Sequence, residues 1–405
     1  MTDEASRIEN IEDLLIILGR TSFSGEEKKH AEYLCNLIDE WPLFTDLAIK
    51  NGIAALIWQN ILDLNLSQYI SDTECQILEG VRLKTIARVT FITGSVSEIV
   101  SRLEANGIKT ILLKGQALER SVYGSRGLRQ MSDIDLLVSR KDALKARDIL
   151  INELGFISQP IKSSLYRYLL LDTGNHLPGL YRGGVSVDLH FRLFGQQEDI
   201  LSEQALDSAC FIKTAEREFN ILPPDIAFLS MIFHLGKHES KGEFQLRLYN
   251  DLYLLLKNNR QSILDDRLLR NAKSAGVSSE TIRVLCLMKY IFKVDIPEEF
   301  ISGRDLNIDI DTFYKNLANP WKKVPGFPKE QYLNGLRSMP GTFKKLIYIA
   351  GDIFTSVSFM KKRYRCQTAI GCIPFYFHRL GKLFWLSAHI LKNLTGSKRR
   401  LSSKI

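Results

Sequence analysis

The sequence predicts an α+β fold: a small mixed sheet, built strand-helix-strand-helix-strand, flanked in the chain by N- and C-terminal helical regions. Three observations carry that reading. Residues 8–105, and again the stretch after Pro223, space their apolar residues by three and four, as helices do. Residues 108–190 instead hold short β-branched and apolar runs separated by polar helical segments. The 405-residue chain can bury a sizeable core, and its 45% apolar and 25% charged residues are those of an ordinary globular protein.

In the first hundred residues "NIEDLLIILGR", "HAEYLCNLIDEW", "LIWQNILDLNL" and "RVTFITGSVSEIVSRLEANG" read as helices, the last closed by Gly107. "IKTILLKG" (108–115) reads as a buried strand ended by a glycine, and "QALERSVYG" as two helical turns. "SDIDLLV" is a second strand. "SRKDALKARDILINELGF" is a second helix, with Ser139 and Asp142 as a capping pair and Gly155 as its stop. Its inner face is Ala143, Ala146, Ile149, Leu150 and Leu154. "VSVDLHF" alternates as a third strand, Val185, Val187 and Leu189 on one face, Ser186, Asp188 and His190 on the other.

Helices resume with "DIAFLSMIFHLGKH", "RLYNDLYLLLK" and "SSETIRVLCLMKYIF". Residues 301–345, carrying Pro320, Pro325, Pro328 and Pro340, read as a long connection. The tail from Lys344 mixes aromatic and basic residues and reads as broken at Pro374. These boundaries divide the chain into an N-terminal helical region (1–105), a core (106–200), a helical region packing on it (201–300), the connection (301–345) and the tail (346–405).

The net charge of +8 is uneven, because after Asp352 there are eleven Lys or Arg and no Asp or Glu, which leaves residues 1–352 at −3. A mildly acidic body argues against extended nucleic-acid contact on the core. The tail, with Phe375, Phe377, Phe384 and Trp385 among its cations, fits two readings. One is an amphipathic helix folded on the body; the other is contact with an anionic membrane surface or a partner. Six scattered cysteines make no CxxC pair and no zinc spacing, and no apolar run nears the ~20 residues of a membrane span. With no signal-peptide pattern, the expectation is a reducing, cytoplasmic compartment, peripheral to a membrane if the tail binds one.

Asp133 and Asp135, two apart on a strand, send both carboxylates from one face. Like charges converging on one point call for a cation between them, and an oxygen-only set suits Mg²⁺ or Mn²⁺ rather than Zn²⁺. Asp188 joins them if its strand is adjacent, giving the three-carboxylate arrangement that two-metal phosphoryl chemistry needs. Lys114 and Arg129 offer charge to a triphosphate, Arg129 with a fork for two oxygens. Gly115 lets backbone N–H groups approach a phosphate, and Ser132 is placed to bond one or to cap the strand.

From about Trp41 to Asp251 the chain resembles the DNA polymerase beta-like nucleotidyltransferase superfamily, in particular a broad bacterial family of uncharacterised nucleotidyltransferases with a KG…R…DID pattern. The resemblance rests on "LFTDLAIKNGIAALIWQNIL", "GIKTILLKG", "LRQMSDIDLLV" and "VSVDLHFRL". It implies that Asp133, Asp135 and Asp188 hold the metals and that Asp188 activates the acceptor hydroxyl. In such enzymes a Gly-Ser pair after the first strand holds the triphosphate. Here Gly115-Gln116 stands in that place, so the serine is absent and its work falls to Lys114. His190 matches the family's D/E-L-H pattern. His234 and His238, and Arg247 and Asp251, lie one turn apart and line the pocket in one reading or support helix packing in the other. For His238 and Arg247 packing is the reading preferred.

The function implied is metal-dependent transfer of a nucleoside monophosphate from an NTP, ATP by default, to a hydroxyl of a small-molecule, peptide or protein acceptor. The alternatives are a non-catalytic descendant that binds a nucleotide or a partner, and a membrane-surface scaffold acting through the tail.

Overall fold

The computed structural model describes residues 3–195, 200–214, 217–301, 306–321, 336 and 339–381. They belong to two compact units: Met1–Ile157 with Asn175–Phe327, and Ser158–Gly174 with Pro328–Ile405.

The first unit opens with five helices, α1 (Asp3–Leu18), α2 (Gly25–Leu37), α3 (Trp41–Lys50), α4 (Ala54–Asp63) and the long α5 (Asp72–Ala105). Ser24 and Glu27 make a reciprocal capping box at the start of α2, satisfying two backbone N–H groups that the helix leaves open. The buried amide of Asn60 donates to the carbonyls of Leu18 and Arg20, 2.7 Å each, and so ties α4 to the end of α1. Gly107 follows α5 at φ +75°, the left-handed position that stops it.

The sheet contains β1 (Ile111–Leu112), β2 (Asp133–Leu137), β3 (Ile157–Ser158), β4 (Leu180–Arg182), β5 (Val185–His190), β6 (Cys210–Lys213) and β7 (Glu218–Ile221). Their order is β3-β4-β5-β2-β1-β7-β6. Helices α6 (Lys114–Ser121), α7 (Ala143–Asn152) and α8 (Ile200–Asp207) connect them. The central pair, β2 and β5, is parallel, β1 is antiparallel to β2, and β1 is parallel to β7. The sheet is therefore mixed, as the sequence predicts. It is also wider than predicted. Within 201–300, read as a helical region packing on the core, the hairpin β6–β7 extends the sheet; β6 lies at its edge with Phe211 exposed, so no apolar alternation marks it. Strand β1 is only two residues long, and Lys114 and Gly115 already belong to α6.

Helices α9 (Pro224–Glu239), α10 (Leu246–Asn258), α11 (Arg260–Ile263), α12 (Leu268–Ala275) and α13 (Ser278–Tyr290) follow. The predicted connection 301–345 holds a further helix, α14 (Leu306–Ala318). Its "NIDIDTF" opening alternates like a strand, but Phe313 and Leu317, one turn apart and buried, set the helical face. Pro325 and Pro328 lie outside the described residues.

In the second unit the helix Gly341–Ile353 packs on the turn Ser164–Leu169, residues that fall inside the core segment expected from the sequence. Lys162 pairs with Asp352, Lys344 with Asp172 at 2.7 Å, and Ser356 bonds the carbonyl of Ile161. The helix Val357–Tyr364 follows, and residues 373–381 are again helical, so Pro374 begins a helix rather than breaking one. Phe375 stacks on Tyr364 at 4.4 Å, whereas Phe377 is exposed. Phe384 and Trp385 lie outside the described residues. Among the described residues no helix is long and apolar enough to cross a membrane.

Candidate active site

Parallel pairing of β2 with β5 brings the three carboxylates together. The register sets Asp133 opposite Ser186 and Asp135 opposite Asp188. Because residues two apart share a face, Asp133, Asp135 and Asp188 emerge on the same side, with one oxygen from each lying within 4.8 Å of the others.

Their environments differ. Asp135 is buried, and burial alone would push its carboxyl up; the ammonium of Lys114 and the imidazole of His190 outweigh that and hold it well below the usual carboxylate range. Both bonds fall on Oδ1, from Lys114 Nζ at 2.6 Å and His190 Nε2 at 2.8 Å. Burial raises the carboxyl of Asp133, reinforced by the charge of Asp135; burial likewise raises Asp188, against the pull of His176. The set thus holds one firmly ionised carboxylate and two whose ionisation is opposed by burial and by neighbouring negative charge.

His190 is buried and its pKa is pushed down to about 4, by burial first and then by the charge of Lys114, so the ring is neutral at pH 7. Its tautomer follows from its neighbours. Lys237 Nζ donates to Asn175 Oδ1 at 2.8 Å, which turns the Asn175 amide nitrogen toward His190 Nδ1 at 3.5 Å. Nδ1 then accepts and Nε2 carries the proton given to Asp135. A polar chain therefore runs Lys237–Asn175–His190–Asp135, met from the other side by Lys114.

A cleft of about 260 Å³ opens beside the carboxylates. Its wall includes Lys114, Asp133, Asp188 and His190 from the sheet side, Asn175 and His176 from the strand approach, and His234, Lys237, His238 and Lys241 on or just past α9. His234 and His238 meet edge-on at 4.6 Å, and His238 Nδ1 lies 2.7 Å from Glu243. Sequence reading missed Asn175, His176, Lys237 and Lys241. For the two lysines the signal was present: 234, 237, 238 and 241 fall on one helical face.

The other expected phosphate ligands sit elsewhere. Among the residues of the KG…R pattern, Lys114 is the one that lines the cleft. Arg129 is buried and its Nε and Nη2 bond Asp251 at 2.9 and 2.7 Å, so the fork expected to take two phosphate oxygens already holds a carboxylate. Tyr123 adds a third bond to Asp251 at 2.9 Å, and Glu119 accepts the backbone N–H groups of Gly127 and Arg129. The i,i+4 pair of Arg247 with Asp251 does not form; Arg247 bonds the carbonyl of Gln130 and the side chain of Gln245 instead. Gln116 is buried, turned toward Arg120 and Met131. Ser132 is exposed and donates to Asp133 at 3.3 Å.

Gly115 has a different reason to be glycine than the one expected. The left-handed residue at this turn is Lys114, at φ +46°. A Cβ on Gly115 would lie 2.6 Å from Nη1 of Arg129, which the Asp251 pair prevents from moving away. Gly115→Ala is therefore expected to cost about 1–3 kcal/mol, read as a lower urea midpoint at unchanged slope. An equal loss in an Arg129→Met background would show that this contact is not the cause.

A family model described as uncharacterised nucleotidyltransferase matches residues 39–293, a span that includes all three carboxylates, Lys114 and the cleft-lining part of α9. No curated protein matches the chain. With well over half of its residues covered, the chain belongs to the uncharacterised nucleotidyltransferase family.

Proposed function

We propose that the protein moves a nucleoside monophosphate from a nucleoside triphosphate, ATP by default, to a hydroxyl of a small-molecule, peptide or protein acceptor, with release of pyrophosphate. The observation that supports this most is the β2–β5 register, which gathers Asp133, Asp135 and Asp188 at the mouth of a cation-lined cleft. The donor set fits Mg²⁺ or Mn²⁺: it is all carboxylate oxygen, and the raised pKa values of Asp133 and Asp188 express a charge deficit that a divalent ion relieves.

A divalent ion held by these three residues would supply neutralisation of phosphoryl charge. The protein's own groups do the rest. Lys114 and His190 fix Asp135 through Oδ1, which leaves Oδ2 for the cation. Asp188, on the sheet face that lines the cleft, takes the proton of the acceptor hydroxyl. That oxygen bonds the α-phosphorus as the bond from phosphorus to the α–β bridging oxygen breaks, and pyrophosphate leaves with the electron pair. Catalysis on this reading is positioning plus charge neutralisation.

Incubation with Mg²⁺ and each labelled NTP should give pyrophosphate release and label transfer to components of a cell lysate, both abolished by EDTA. Gln116, buried where the resemblance to the wider superfamily implies a serine, favours the competing reading of a nucleotide-binding descendant. Binding of NTP·Mg²⁺ with no pyrophosphate from any NTP and acceptor tried would decide for that descendant.

A further inference from the structure

We infer that α9 and the turn after it, through Lys237 and Lys241 with His234 beside them, form the seat of the polyphosphate tail of the substrate and of the departing pyrophosphate. The inference rests on the nucleotidyl-transfer proposal and names residues for it that the KG…R pattern does not contain.

Four observations carry it. First, His234, Lys237 and His238 on α9 and Lys241 in the turn after it line the same cleft as Lys114, Asp133 and Asp188. Second, the lysines on this wall lack anionic partners. Lys237 bonds the neutral amide of Asn175 and lies over the ring of Phe233, and no described carboxylate pairs with Lys237 or Lys241. His238, by contrast, has Glu243. Third, the cations that would compete for the role are engaged: Lys114 by Asp135 and Arg129 by Asp251. Fourth, the ammonium of Lys237 is pushed down to about 8 by the enclosing walls and by the charges of Lys114 and Lys241, against the pull of Asp135. Positive charge is thus crowded on α9 without compensation, while negative charge is gathered on the sheet side.

A polyanion meets both conditions. Its α-phosphate belongs with the carboxylates and their cation, and its two terminal phosphates with the lysines, which donate charge-assisted hydrogen bonds to phosphate oxygens. Asn175 is then a positioning residue: its amide aims Lys237 into the cleft and, through His190, orients Asp135.

The test is calorimetric titration of the full-length chain with sodium tripolyphosphate, without metal, beside NTP kinetics. Lys237→Gln with Lys241→Gln is expected to weaken tripolyphosphate binding at least tenfold and to raise KM for NTP by a similar factor. Lys213→Gln, a lysine elsewhere on the surface, is expected to leave both unchanged. Unaltered tripolyphosphate affinity in the double variant, with its circular dichroism and Tm intact, overturns the inference. Lysine-dependent tripolyphosphate binding in a chain that releases no pyrophosphate would sink the transferase reading and leave this one standing. Efficient transfer insensitive to both substitutions would do the reverse.

Discussion

Asp188→Asn is expected to abolish pyrophosphate release, by about a thousandfold or more, while making the metal-free protein more stable. The two effects have one cause. Asp133 and Asp188 are held near Asp135 in a partly buried place, and burial and mutual repulsion raise the pKa of both. A carboxyl whose folded pKa lies above its unfolded value contributes stability that is fully present below the unfolded value and is lost as pH rises through the folded one. The metal-free wild type should therefore lose stability as pH climbs from about 3.8 upward through the raised values. The uncharged amide of Asp188→Asn removes one of the three clustered charges and flattens that slope, with a gain of about 1 kcal/mol and a few degrees in Tm. Asp135 runs the other way: its pKa is depressed, so its contribution holds above the ordinary carboxylate value and disappears only in stronger acid. Scanning calorimetry in EDTA between about pH 4 and 8 follows the first window, and acid unfolding below about pH 4 follows the second. Added Mg²⁺ should raise the wild-type Tm and leave that of Asp188→Asn nearly unmoved. A Tm for the variant below the wild type in EDTA would mean that the carboxylates do not repel one another as the geometry requires.

Asp251→Ala is expected to cost about 3–5 kcal/mol, a large share of the net stability of an ordinary domain. Removal of that carboxylate leaves the guanidinium of Arg129 buried with Nε and Nη2 unpaired, and the Tyr123 hydroxyl loses its acceptor as well. The uncompensated charge dominates the cost rather than the lost attraction. Arg129→Met combined with Asp251→Leu should therefore recover most of the loss, because neither charge then remains to be solvated. Urea unfolding of Arg129→Met, Asp251→Leu and the double variant gives the coupling energy directly. Strictly additive losses would show that the two residues do not act as a pair. Kinetics add a second readout: a double variant that folds and keeps its KM for NTP would place Arg129 in the scaffold, whereas a large rise in KM would return it to the phosphates.

Local patterns in the sequence were enough to find what is local. The alternation in "VSVDLHF" and the D-x-D spacing identify the strands and the shared face, and Gly107 and Gly155 mark two helix ends, whereas Ser139 and Asp142 do not cap α7, which begins at Ala143 with no side-chain cap. What was not legible depends on partners far apart in the chain. Arg129 and Asp251 are 122 residues apart, and nothing near either one announces the other, so the motif arginine read as a phosphate ligand. Gly115 shared that fate because its close neighbour is Arg129. Strand β6 escaped notice for a different reason, since an exposed edge strand has no buried face to imprint on its composition. The lysines of α9 were legible in spacing, yet their meaning required the cleft.

The parallel pairing of β2 with β5 also says where this protein is free to change. The three carboxylates are fixed by a ladder of backbone bonds between two strands, whereas the chain from Val138 to Gly184 that links those strands contributes none of them. That link carries α7, leaves the first unit after Ile157 and re-enters it at Asn175. Substitution or lengthening between Ser139 and Gly174, ahead of Asn175 and of β4, leaves the spacing of the carboxylates untouched, while deletion of one residue inside β5 ahead of Asp188 would turn it to the opposite face at a stroke. The carboxylate cluster is insulated from drift in that stretch, whereas Asn175 and His176, at its end, line the cleft and are not free to change in the same way.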